Sequence, residues 1–178
     1  MRKFTKIAFV ICFSFCLLIV VACEKMSYSS SEKIVLAETV FNEIEFKNSD
    51  KVKLKQQDDK WIVSGEIELM SDAQISSFGL KDVTHCVVLK FEFDKERTID
   101  YFKIEGETTK VYSTDKNEEN YVGSITSLLD NEFGDDAFCY LILSANTKDY
   151  EFVSRYSDGV ESVIKLKIDA VLVSATQD

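Results

Sequence analysis

From Trp61 to Leu69 the side chains alternate with a period of two. Trp61, Val63, Gly65, Ile67 and Leu69 fall on one side, and Ser64, Glu66 and Glu68 on the other. Successive side chains of an extended strand point to opposite faces, so this run reads as a strand with one face in a core and one in water. The same period returns near the C-terminus. There Ile164, Leu166, Ile168, Ala170 and Leu172 alternate with the outward charges Lys165, Lys167 and Asp169.

The remaining runs extend the β pattern. Val52 and Leu54 alternate with Lys51, Lys53 and Lys55, and a five-residue polar bend, Gln56 to Lys60, would join them to the Trp61 strand as a hairpin. Ser71 to Asp82 reads as a loop. In a strand from Cys86 to Asp94, Val87, Leu89, Phe91 and Phe93 form the apolar face; Cys86, Val88, Lys90 and Glu92 form the other. Ile99 to Gly106 is expected to bury Phe102 and Ile104, with Lys110 to Thr114 paired beside it. Ala137 to Ser144 is apolar on both faces, as a central strand would be. Tyr150 to Tyr156 and Ser162 to Ser174 form a hairpin through Ser157-Asp158-Gly159. The outward charges of its second arm would also blunt an edge strand. Ile34 to Phe46 suits either a strand or a helix opened by Ser29 and Glu32 in capping-box spacing, and the strand is preferred. Over residues 118–133, Tyr121, Ile125, Leu128 and Leu129 fall at helical spacing, with Glu118 and Glu119 at the start and Gly134 past the end. The expected fold is mainly β: an antiparallel β-sandwich with one short amphipathic helix near 118–133. An immunoglobulin-like topology is open, although Trp61 precedes both Cys86 and Cys139 instead of lying between them.

Enzyme motifs are scarce. With a single His, His-Glu-x-x-His zinc chemistry is excluded, and neither a Gly-x-Ser-x-Gly elbow nor a phosphate-cradling glycine loop occurs. His85 and Cys86 are adjacent, but strand neighbours diverge, which disfavours a thiolate–imidazolium pair. Asp115, Asn117 and Glu119 have the one-three-five oxygen spacing of a calcium loop, with Asn120 placed for its sharp turn. The twelfth position, however, is Thr126 where a carboxylate is wanted. A solvated acidic loop is the alternative, and calcium is the one cofactor this pattern suggests. A second acidic cluster, Asp130, Glu132, Asp135 and Asp136, has no recognisable order. Tyr150, Phe152 and Tyr156 share a strand face and read as core before they read as a binding row.

The N-terminus decides where such a domain works. Arg2, Lys3 and Lys6 precede an apolar run of 16 residues from Ile7 to Ala22, and small Ala22 stands directly before Cys23. A charged start, an apolar centre and a small-residue cleavage site are the parts of a secretory signal, and the run is short for a membrane span, which needs about 20 residues. Val20-Val21-Ala22-Cys23 resembles the lipobox of bacterial lipoproteins. The resemblance implies that Cys23 receives a diacylglycerol, that residues 1–22 are removed, and that the new amine takes a palmitate-type acyl chain. Glu24 in place of Asp is compatible with outer-membrane delivery in a Gram-negative host. Residues 23–31 then form the lipidated Cys and a short Ser-rich tether, and residues 32–178 a single domain.

Export sharpens the other readings. The chain has a formal charge of −10, and loss of three basic residues with the signal takes it to −13. Such a surface repels nucleic acid and anionic lipid, so attachment to the membrane falls to the lipid. Two cysteines, Cys86 and Cys139, remain, which permits one disulfide or a pair of buried thiols. The leading expectation is an envelope lipoprotein with a non-enzymatic domain that binds a protein partner, for instance as an accessory subunit of an envelope or surface protease complex. An adhesin-like module for glycans or host proteins is the alternative. A hydrolase built on facing carboxylates is the least favoured reading.

Overall fold

The two long alternating runs lie side by side. β5 (Lys60–Glu68) and β12 (Glu161–Val173) pair in parallel, with Leu166 opposite Trp61 and Ile168 opposite Val63. Val63, Ile67, Leu166 and Ile168 of the apolar faces read from the sequence are each at most 3% exposed, whereas Leu69, placed on the same face, lies past the end of β5 and is 41% exposed. In the computed structural model, which describes residues 32–41, 44–78, 83–130 and 137–174, these strands are interior members of a seven-stranded sheet. Its order is β4-β5-β12-β11-β7-β8-β9, from β4 (Lys53–Gln57), β7 (Ile99–Glu105), β8 (Lys110–Ser113), β9 (Tyr121–Gly123) and β11 (Asp149–Tyr156). A three-stranded antiparallel sheet, β1 (Lys33–Leu36), β6 (Cys86–Glu92) and β10 (Phe138–Ser144), lies over it in the order β1-β6-β10. β2 (Glu38–Phe41) and β3 (Ile44–Lys47) form a separate hairpin. The fold is the mainly-β sandwich expected. Its seven-and-three division, with parallel pairs β5–β12 and β8–β9, departs from the four-and-three antiparallel sheets of an immunoglobulin constant domain.

One apolar core fills the space between the sheets. Val87, Leu89 and Phe91 descend from β6, and Phe102 and Phe152 rise from the larger sheet; all five are fully buried. The Phe91 ring lies 5.0 Å from that of Phe102 and 5.6 Å from that of Phe152, both tilted. Each such side chain contributes about 1.5–3 kcal/mol on leaving water. The other face of the small sheet carries a second cluster, in which Ala37, Met70, Cys86 and Val88 are covered by Ile75 and Phe78. Those two residues belong to or follow α1 (Asp72–Ser77), within the stretch read as a loop. Ser71 caps it, accepting from the Gln74 N–H while the Gln74 side chain accepts from the Ser71 N–H. Where β1 parts from β6, the buried Asn48 amide donates to the carbonyls of Ala37 (2.7 Å) and Val88 (2.8 Å).

Several local readings change. The expected helix over 118–133 contracts to α2 (Ile125–Leu129), capped by Ser124, which accepts from the Ser127 N–H. Tyr121 instead starts β9, held to β8 in parallel, and Gly134 lies outside the described residues. β12 is not an edge: it pairs with both β5 and β11. β10 is not central: β6 is its only strand partner among the described residues. The five-residue bend tightens to Asp58 and Asp59, with Asp58 at φ 53°. The described residues of the Ile34–Phe46 stretch form strands, as preferred, and Glu32 serves Tyr156 instead of a helix cap. Gly65 explains an interruption in an otherwise apolar face. At φ +103°, a Cβ there would sit 1.8 Å from the Lys51 carbonyl oxygen.

Candidate functional site

Among the described residues, the unequal size of the two sheets leaves the sandwich open along β10. A groove of about 680 Å³ occupies that opening. One wall is β10 itself, which contributes the consecutive residues Tyr140 to Ser144. A face of a strand would contribute every second residue, so an unbroken run means that the edge of the strand borders the groove. The opposite wall is Ile104 of β7, Tyr112 of β8 and Leu128 of α2. Tyr150 closes one end and donates its hydroxyl to the Ser144 carbonyl at 2.9 Å. Gly106 permits this, because a Cβ there would lie 2.5 Å from the Tyr150 ring.

The groove is of mixed polarity, with apolar side chains beside the phenols Tyr112, Tyr140 and Tyr150. Burial is the largest cause holding Tyr150 above the ordinary tyrosine value; a Thr147 hydrogen bond opposes it and the charge of Glu107 adds to it. Burial raises Tyr112 as well. Both phenols are therefore neutral donors at physiological pH. Among the described lining residues, one carboxylate, Glu107, and one ammonium, Lys110, are present, and both are exposed. A smaller hollow of about 260 Å³ beside it includes Glu105, Asp149 and Glu151. Glu105 and Glu151 are neighbours across β7 and β11, not facing groups across a cleft, and Glu105 is bound by Lys103 at 2.6 Å. That is not the arrangement a two-carboxylate hydrolase needs.

Strand register fixes where the groove opens. Lys33 lies opposite Glu92 at the end of β6, and Tyr156 lies opposite Ile99 at the start of β7. The chain therefore enters the sandwich at the end holding the turns after β6 and β11. β7 and β10 finish at the other end, at Glu105 and Ser144, and the groove residues Thr108, Asn146 and Thr147 lie in the connections that follow.

The residues singled out in the sequence fare differently. Cys23, the signal, the tether, and Glu132, Asp135 and Asp136 of the second acidic cluster lie outside the described residues. Cys86 and Cys139 are free buried thiols, which corrects the disulfide. Cys139 stands opposite Phe91, five residues from Cys86 along β6, and the odd offset places the two on opposite faces of the sheet. Five residues of strand extend about 17 Å, well beyond the roughly 7 Å Cα limit of a disulfide. Cys86 donates to the Met70 sulfur at 2.9 Å. His85 turns away, with Nε2 3.1 Å from the Val173 carbonyl, so no dyad forms. Asp115 and Asn117 do meet, but as a turn: Asn117 presents its N–H and its amide nitrogen to Asp115 Oδ1, each at 2.9 Å. Asn120 adopts φ 62°, the sharp bend foreseen. Among the described residues no three acidic, His or Cys side chains gather to hold a metal. Tyr150, Phe152 and Tyr156 are core, each at most 9% exposed. Sequence reasoning missed the convergence of Tyr112, Tyr140 and Tyr150. Its trace was Tyr140, the one polar tip inside an otherwise apolar strand. Comparison of the sequence with protein-family models and curated proteins, and of the fold with solved structures, finds no match.

Proposed function

We propose that the chain is a lipid-anchored protein of the bacterial envelope whose β-sandwich is a non-enzymatic module that binds a protein partner at the β10 groove. The observation that carries this reading is the placement of the groove at the end of the sandwich opposite the end where the chain enters. Cys23 and Glu32 are nine residues apart, so the chain between them reaches at most about 30 Å. β12 alone has 13 residues, about 43 Å of strand. A tether shorter than the body keeps the Glu32 end toward the bilayer and presents the groove away from it. Two or three acyl chains on Cys23 make the attachment lasting, at about 0.8 kcal/mol per buried CH₂. An acidic domain gains nothing from the lipid surface itself.

The experiment has two readouts. Cells fed an alkyne fatty acid should label the wild-type chain and leave Cys23→Ser unlabelled. In the same cells, a photo-crosslinking residue at Thr108 should capture a protein adduct, while one at Lys95, in the turn after β6, should not. An unlabelled wild type defeats the anchor. Absence of an adduct at Thr108, or equal capture at both positions, defeats the binding site.

A further inference from the structure

We infer that the groove takes an extended polypeptide segment of the partner, which pairs by its main chain with the open edge of β10. This rests on the binding reading above and names the chemistry of its ligand. At the two ends of the β6–β10 pairing, Phe93 N–H donates to the Ala137 carbonyl (2.7 Å) and Ala145 N–H to the His85 carbonyl (2.9 Å). In an antiparallel ladder the main-chain groups of alternate residues point to alternate sides. Cys139, Leu141 and Leu143 therefore bond β6, and Ile142 and Ser144 direct their main-chain groups outward into the groove. The Ser144 carbonyl is taken by Tyr150. The N–H and C=O of Ile142 and the N–H of Ser144 remain, and they are the groups a further strand would use.

Among the described residues the other sheet edges carry guards. β4 carries Lys53 and Lys55, β1 carries Lys33, and β9 is three residues long. Where β10 borders the groove over Leu141 to Ser144, it carries no charge, Pro or Gly. Unguarded edges of this kind pair with other chains. The recess selects what can pair. A second folded copy would have to bring its own recessed β10 past the wall of Tyr112 and Leu128, whereas a single strand enters freely. Strand spacings of about 4.8, 10 and 3.3 Å give each added residue about 160 Å³, so the groove accommodates about four residues.

The test uses the full-length chain in detergent micelles, panned against a displayed library of random nine-residue peptides. Selected peptides are expected to lose at least tenfold in affinity when N-methylated at one set of alternate residues, and little at the other set. Bound peptide should slow amide exchange at Ile142 at least tenfold while leaving Leu141 and Leu143, already bonded to β6, unchanged. Thr108→Trp, which narrows the groove from an exposed loop, should weaken binding at least tenfold. If that variant misfolds, the methylation and exchange readouts decide alone. Recovery of no binding peptide, indifference to N-methylation, or an unprotected Ile142 amide overturns the inference. The lipid-labelling result is independent of all three, so a labelled chain that binds no strand sinks this inference and leaves the anchor standing.

Discussion

The Tyr156 hydroxyl donates to Glu32 Oε1 at 2.6 Å, joining residues 124 positions apart. Its oxygen also accepts the Asp94 N–H at 3.1 Å, so one phenol ties the point where the chain enters the sandwich to β11 and to the turn after β6. Glu32 is only 8% exposed, and hydrogen bonds to charged groups contribute about 1.5–3 kcal/mol. Tyr156→Phe should lower the unfolding free energy by about that amount in urea titration. A loss below about 0.5 kcal/mol, the range of ordinary surface changes, would show that water serves Glu32 equally well.

Alkaline pH should unfold the domain earlier than its surface charge alone would. Burial pushes Cys86 from its ordinary 9.0 to about 12 and Cys139 higher still; burial and then the Glu32 hydrogen bond raise Tyr156. An unfolded chain gives up these protons first, so the contribution is fully present below pH 9 and declines as pH rises toward 12. Urea midpoints should fall steadily above pH 9, less steeply in Cys86→Ser. A flat profile from pH 9 to 11 would contradict the burial of both thiols.

The same burial predicts how the thiols react. Without reductant, iodoacetamide should leave Cys86 and Cys139 unmodified in the native chain and alkylate both after unfolding in urea. Failure to alkylate the unfolded, unreduced chain would mean that the two are joined after all.

Gly65→Ala should be among the most damaging single changes. A positive φ of this kind strains any other residue by about 1–3 kcal/mol, and the Lys51 carbonyl lies where the methyl must go. Thermal unfolding is the check, with Gly159→Ala, also at positive φ but with nothing within 4 Å, as the milder comparison.

Phe102→Ala should cost about 3–5 kcal/mol, because Phe102 is fully buried against Phe91 and Phe93. Val171→Thr, on a residue 63% exposed on the outer face of β12, should stay within about 0.5 kcal/mol. Comparable losses at both positions would mean that the outer face of the large sheet is covered.

What could be read before the fold was known was local. Val87, Leu89, Phe91 and Phe93 declared their inward face by alternation, as did Ile164, Leu166, Ile168 and Ala170, and every one of them is buried. The 118–133 helix misled because Tyr121 stands at helical spacing from Ile125 and yet pairs with Val111 in β9. There a sheet edge outweighed a weak periodicity. The Cys86–Cys139 disulfide could not be judged without register, since an offset of five residues separates faces that composition cannot tell apart.

Side-chain periodicity acts between neighbours along the chain, so the sequence by itself determined most of the long strands and which of their faces are buried. Which strand lies beside which depends on contacts across the chain that no run of neighbours encodes. Tertiary structure alone therefore set β12 between β5 and β11, gave β10 only β6 as a strand partner among the described residues, and brought Tyr112, Tyr140 and Tyr150 around one groove. The physical reason is that apolar burial is non-directional: it dictates that faces be covered, while the pairing of particular main chains decides by what.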